Sequence, residues 1–79
     1  MTKEKILLRL NEIIIEVLEL DQLSLAENTK AADVEDWDSI MHVEIIVEIE
    51  AQFNIKFTTL EIEQFENVGD IINGISSKL

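Results

Sequence analysis

Apolar residues recur every three or four positions in three segments of this 79-residue sequence, and that spacing is typical of one face of an α-helix. The first segment runs from Ile6 to Leu18, the second from Ile40 to Phe53 and the third from Val68 to Ile75. Polar and acidic residues stand between the apolar ones. The sequence therefore predicts an all-α fold in which these faces pack against one another.

Polar residues at the ends of these segments suit helix termini. Thr58, followed three residues later by Glu61, predicts a capping box that opens a further, short helix around residues 60–65. Thr2 and Asn67 are suitable N-caps, and Asn54 tolerates the left-handed turn that often ends a helix. Four helices are thus expected, three longer and one short.

Residues 21–38 break the helical pattern. They are mostly polar, with isolated apolar residues that we interpret as anchors on the bundle, namely Leu23, Leu25, Val34 and Trp37. Structureless loops of this length are uncommon in compact domains and are often functional. Residues 55–59 have the composition of a strand, but no partner strand is present to pair with them. We therefore predict one domain over residues 1–79, a four-helix bundle with a long loop between the first and second helices.

The charge of the chain limits its partners. Six Lys and Arg against 17 Asp and Glu leave a net charge of 6 − 17 = −11, which repels phosphate backbones and anionic lipid headgroups. We expect no nucleic-acid or membrane binding, a monomer, and protein partners with basic patches. The longest apolar runs have three residues, too short for a membrane span or a signal peptide, so a cytoplasmic location is expected.

The sequence Asp36-Trp37-Asp38-Ser39-Ile40 ends the loop and opens the second helix. A serine here is usually a helix cap. Asp38, Ser39 and His42 also contain the residue types of a hydrolase triad, but Asp38 is badly placed to orient the imidazole. A calcium loop counted from Asp36 is disfavoured, because Ile40 and Met41 occupy its fifth and sixth positions. The absence of cysteine and the single histidine exclude thiolate chemistry and multi-histidine metal sites.

Four further segments accompany Asp38-Ser39-Ile40, namely Val43-Glu44, Glu50-Ala51-Gln52-Phe53, Ile55-Lys56-Phe57 and Val68-Gly69-Asp70-Ile71. With these segments at their spacings, the chain resembles over nearly its whole length the acyl carrier proteins, a family that carries 4′-phosphopantetheine. Asp38-Ser39-Ile40 is similar to the Asp-Ser-Leu attachment motif of this family.

The resemblance implies that a phosphopantetheinyl transferase attaches the cofactor to Ser39 and that the chain is a substrate carrier, not an enzyme. It implies that partner enzymes contact the second helix, for which we expect Met41, Glu44, Glu48 and Glu50, with Met41 exposed. It also implies shelter for an acyl chain among apolar residues that we assign to Val43, Ile46, Val47, Phe57, Ile62 and Ile71. His42 is expected to be partly exposed on the helix flank. If protonated, it would contact the phosphodiester and make the arm's position depend on pH.

Three differences from carriers of primary fatty-acid synthesis bear on the pathway. These are Trp37 before the motif, Met41 after it, and Lys56 with no proline after Phe57. They leave fatty-acid synthesis in doubt and favour a carrier for a polyketide, a nonribosomal peptide or a specialised acyl group. The remaining alternative is an acidic helical module that binds proteins without a prosthetic group, because a fold can be reused without its site.

Overall fold

The computed structural model describes residues 1–79 and consists of four α-helices joined by loops. They are α1 (Lys3–Leu18), α2 (Ser39–Phe53), α3 (Thr59–Glu63) and α4 (Val68–Lys78), with a 3₁₀ turn at Ala31–Asp33 in the loop before α2. The predicted all-α bundle of three longer helices and one short helix is confirmed. None of these helices has the length and apolar character needed to cross a membrane.

The predicted caps form and fix where the helices begin and end. Thr2 Oγ1 accepts a hydrogen bond from the Lys5 backbone N–H at 3.2 Å, so α1 begins before its first buried residue, Ile6. Thr58 and Glu61 form the reciprocal capping box, with hydrogen bonds of 2.8 and 3.1 Å. Asn54 ends α2 in the left-handed region, with φ of 55°. Each cap satisfies backbone groups that the helix itself leaves unpaired.

The core lies between α1, α2 and α4. Its most buried side chains are aliphatic, namely Ile6, Leu10, Ile13, Ile14, Ile45, Ile49, Val68, Ile72 and Ile75. Full burial of one such side chain stabilises the fold by about 1.5–3 kcal/mol. Because the chain contains no cysteine, this packing and the backbone hydrogen bonds hold the bundle together.

The long loop is tied to the first turn of α4. The backbone N–H groups of Val68 and Gly69 donate to the carbonyl oxygens of Thr29 and Glu27 at 2.8 and 2.7 Å. A Cβ on Gly69 would lie 3.0 Å from the Glu27 carbonyl oxygen, so a side chain here would push the loop away by a few tenths of an ångström. Trp37 is only 6% exposed, and Leu23, Leu25 and Val34 pack partly buried against the core, which confirms their predicted role as anchors.

Candidate functional site

Ser39 is the first residue of α2, and its side chain is exposed. Asp38 caps the helix: its carboxylate Oδ1 accepts from the Met41 N–H at 2.8 Å, and its carbonyl oxygen accepts from the His42 N–H at 2.9 Å. The N–H groups of Ser39 and Ile40 belong to the same first turn and have no acceptor within the helix. An accessible hydroxyl therefore lies beside two free donors and the positive end of the helix dipole, an arrangement that favours an attached phosphate.

Trp37 and His42 form a pair beside this serine. The Trp37 indole Nε1–H donates to His42 Nδ1 at 3.0 Å, and the two rings are stacked with centroids 5.9 Å apart and an interplanar angle of 26°. His42 is half-buried, close to the partly exposed flank position expected for it. This burial lowers the pKa of His42 below its ordinary value of 6.5, because the protonated ring is poorly solvated there.

The contacts of Asp38 and His42 do not assemble a hydrolase triad. The Asp38 carboxylate caps the helix, and the His42 nitrogen that a triad carboxylate would have to orient accepts from Trp37 instead. Ser39 therefore lacks a base that is oriented by a carboxylate, as a catalytic triad requires.

A depression of about 520 Å³ adjoins Ser39. Its lining comes from the 3₁₀ turn, the loop just before α2, the first turn of α2 and a residue that follows α3. These residues are Ala31, Ala32, Trp37, Asp38, Ser39, His42 and Phe65. Its wall is therefore mostly apolar, with His42 and Asp38 as its titratable side chains.

The exposed face of α2 differs from the one expected from the sequence. Val43 and Val47 are 61% and 57% exposed and, with the 70%-exposed Ile40, form an apolar row outside the bundle. Met41, expected to be exposed, is instead partly buried against the core. The reason is that α2 carries apolar residues around most of its circumference, so helical periodicity alone does not fix which side packs on α1. The buried side is that of Ile45, Ile46 and Ile49.

The three acidic residues predicted on α2 have different surroundings. Glu44 is exposed. Glu48 is half-buried and accepts a hydrogen bond from Gln52 Nε2 at 2.9 Å. Glu50 is also half-buried, and its Oε2 accepts from the Phe57 N–H at 2.8 Å, so its carboxylate fixes the connection between α2 and α3.

The six residues predicted to shelter an acyl chain do not line one space. Ile46, Phe57 and Ile71 are buried in the core and Ile62 is partly buried against it, whereas Val43 and Val47 lie outside. Phe57 packs edge to face on Phe65, with ring centroids 5.1 Å apart.

Several residues that shape this region were missed from the sequence. They are Phe65, Gly74 beneath the two phenylalanine rings, and the pairing of Trp37 with His42. Only the proximity of Trp37 to the motif gave a signal, because the other contacts join elements that are distant in the sequence.

Comparison with known proteins agrees with this geometry. The family described as "Phosphopantetheine attachment site" matches residues 9–75. An acyl carrier protein of Thermotoga maritima is 31% identical over 78 residues, which cover 99% of this chain and 96% of the relative. An acyl carrier protein of Lactobacillus acidophilus is 34% identical over 77 residues, covering 98% of this chain and 96% of the relative. The solution structure of a holo acyl carrier protein from Geobacter metallireducens superposes with a TM-score of 0.86 at 35% identity, covering 91% of this chain and 83% of that one.

Together with these matches, a helical bundle that has an accessible serine at the start of its second helix places the chain in the class of phosphopantetheine-bearing carriers. Within that class the chain belongs to the acyl carrier protein family. It is a carrier and not an enzyme, and the family match together with the holo neighbour indicates a covalently attached 4′-phosphopantetheine. The exposed Ser39 hydroxyl and the free N–H groups beside it fit this group.

Proposed function

We propose that 4′-phosphopantetheine is attached at Ser39, within the motif Asp38-Ser39-Ile40, and that the chain delivers acyl or aminoacyl intermediates to partner enzymes. The thiol of this group holds its cargo as a thioester. The observation that carries the proposal is the Ser39 hydroxyl, exposed at the N-terminus of a 15-residue helix beside unpaired N–H groups. Asp38 supports it by capping α2, which keeps its own carboxylate directed at the Met41 N–H.

The proposal is tested by the intact mass of the protein after incubation with coenzyme A, magnesium and a broad-specificity phosphopantetheinyl transferase. We expect the wild type to gain one phosphopantetheinyl group and Ser39→Ala to gain none. Ser24→Ala, which removes another exposed serine from the preceding loop, is the matched control and should be modified like the wild type. If several transferases fail on a folded protein, the acidic interaction module without a prosthetic group takes the place of the carrier.

We propose that the transferase and the acyl-handling enzymes dock on the exposed side of α2. The apolar row of Ile40, Val43 and Val47 offers area to bury, and Glu44 beside it offers charge for Arg or Lys. In this proposal Glu48 and Met41 border the docking surface. Glu50 attracts basic partners by its charge, while its carboxylate accepts the hydrogen bond from the Phe57 N–H. Since such charges mainly accelerate encounter, the docking should weaken with salt.

For the pathway we propose a broad class: fatty-acid, polyketide, nonribosomal-peptide or related specialised biosynthesis.

For the cargo we propose shelter between α2, α3 and α4. The acyl chain would enter by separating four side chains, those of Ile46, Phe57, Ile62 and Ile71. Val43 and Val47 would contact only the part of the acyl chain that stays outside the bundle. Comparison of backbone amide shifts between the holo and octanoyl forms tests this idea. Unchanged signals for Ile46 and Ile71 would contradict it.

A further inference from the structure

The hydrogen bond between Trp37 and His42 determines which imidazole nitrogen carries the proton. An indole N–H is a donor only, so His42 Nδ1, at 3.0 Å, must accept and therefore lacks a hydrogen. Neutral His42 consequently carries its hydrogen on Nε2. The stacking of the imidazole on the indole also restricts rotation of the ring.

His42 lies on the same side of the first turn of α2 as Ser39. The two residues are three apart in a helix, which makes them neighbours on its surface, and both line the depression next to the serine. The other donors available to a phosphate on Ser39 are the backbone N–H groups of Ser39 and Ile40. Basic side chains are few in a chain with a net charge of −11. Neutral N–H groups can bind the phosphate in their place.

We propose that Trp37 holds His42 in the Nε2–H form and that this N–H donates a hydrogen bond to the phosphodiester of the arm on Ser39. The inference rests on the proposed attachment at Ser39. His42 is then a positioning residue for the arm, and it acts while neutral. This differs from the expectation that a protonated His42 makes the contact, since protonation of Nδ1 would place two donors against each other and break the bond from Trp37.

The pH dependence follows from this arrangement. Apart from His42, Asp38 is the only titratable side chain that lines the depression. Burial lowers the pKa of His42 below its ordinary value of 6.5, which favours the neutral ring at neutral pH. As the pH falls through that lowered value, the Trp37 bond is lost and the contact with the phosphodiester changes.

The experiment uses the holo protein labelled with ¹⁵N. Long-range ¹H–¹⁵N spectra of the imidazole report the tautomer, and ³¹P spectra follow the phosphodiester while the pH is lowered. A phosphodiester has no ionisation of its own between pH 5 and 8, so an inflection there reports a neighbouring group. We expect the Nε2–H tautomer in the wild type and a ³¹P inflection that coincides with the ¹⁵N titration of His42 and is lost in His42→Ala.

Trp37→Phe is the decisive second variant, because it keeps an aromatic ring in the loop while removing the indole N–H donor. In this variant the imidazole should become a mixture of tautomers. Both the ¹⁵N and ³¹P midpoints should rise together, because protonation of Nδ1 no longer breaks a hydrogen bond from Trp37. Equal ³¹P curves for the wild type and His42→Ala, or an Nδ1–H tautomer in the wild type, would overturn the inference. Mass spectrometry separates the two proposals: unmodified protein refutes the attachment at Ser39, whereas modified protein with either of those results refutes only the role of His42.

Discussion

Replacement of Gly74 by alanine tests how tightly the space between α3 and α4 is filled. Gly74 lies within α4 and has no positive φ, so alanine is compatible with its backbone. A Cβ at this position would lie 3.0 Å from both Cε1 and Cζ of Phe65 and 3.3 Å from Cε1 of Phe57. Both rings are therefore closer than the ordinary separation of about 3.5–4.0 Å between carbon atoms.

Two opposing effects determine how Gly74→Ala changes the free energy of unfolding. Alanine is more favourable than glycine inside a helix by about 0.8–1 kcal/mol. An extra methyl group in a packed interior costs about 1–3 kcal/mol. We expect the second effect to prevail, because Phe57 is only 8% exposed and Glu50 holds its backbone N–H at 2.8 Å. Gly74→Ala should therefore lower the free energy of unfolding by roughly 1 kcal/mol.

The assay is urea unfolding followed by circular dichroism, applied to a double-mutant cycle with Phe65→Leu. The smaller side chain leaves room for the methyl group, so in that background Gly74→Ala should stabilise the protein by up to about 1 kcal/mol. The sign of the effect thus reverses between the two backgrounds. Stabilisation of the same size in both backgrounds would refute the reasoning.

Four further outcomes are expected. Asp38→Ala should destabilise the protein by about 1 kcal/mol in urea unfolding through loss of the α2 cap, and Asp38→Asn by much less. Ile49→Ala should cost about 2–5 kcal/mol, measured in the same way, because Ile49 is fully buried. The pKa of Glu61 is lowered below its ordinary 4.5, mainly by the hydrogen bond from the Thr58 backbone N–H and then by Lys78. The stability that Glu61 confers should therefore persist above pH 4.5 and disappear as the pH falls through the lowered value. The thermal unfolding temperatures of the wild type and Glu61→Gln should converge in acid, and a constant difference would contradict this. Glu44→Gln should slow modification by the transferase at low salt and not at high salt, with Glu12→Gln on α1 as the charge-matched control.

The site was predictable to the extent that its signals are local. The motif around Ser39, the capping box of Thr58 with Glu61, and the left-handed turn at Asn54 each depend on a few neighbouring residues. The same holds for the anchor role of Trp37, since a large apolar ring in a polar loop gains most by burial. The predicted exposure of Met41 and the predicted role of Val43 and Val47 in sheltering a cargo do not match the positions of these side chains. Helical periodicity identifies an apolar face, but it does not say how a helix that is apolar around most of its circumference is turned toward its neighbours.

The four helices, their caps, the acidic charge and the serine that opens α2 are all readable from the sequence, because periodicity and capping act over one or two turns. Three features become visible only in the packed molecule: the buried side of α2, the bonds by which Val68 and Gly69 hold the loop, and the donation from Trp37 to His42. These outcomes depend on contacts between segments that meet only when the chain is packed. The fit of Gly74 under Phe65 belongs to the same group, since the distance between α4 and the loop that precedes it is set by the whole core.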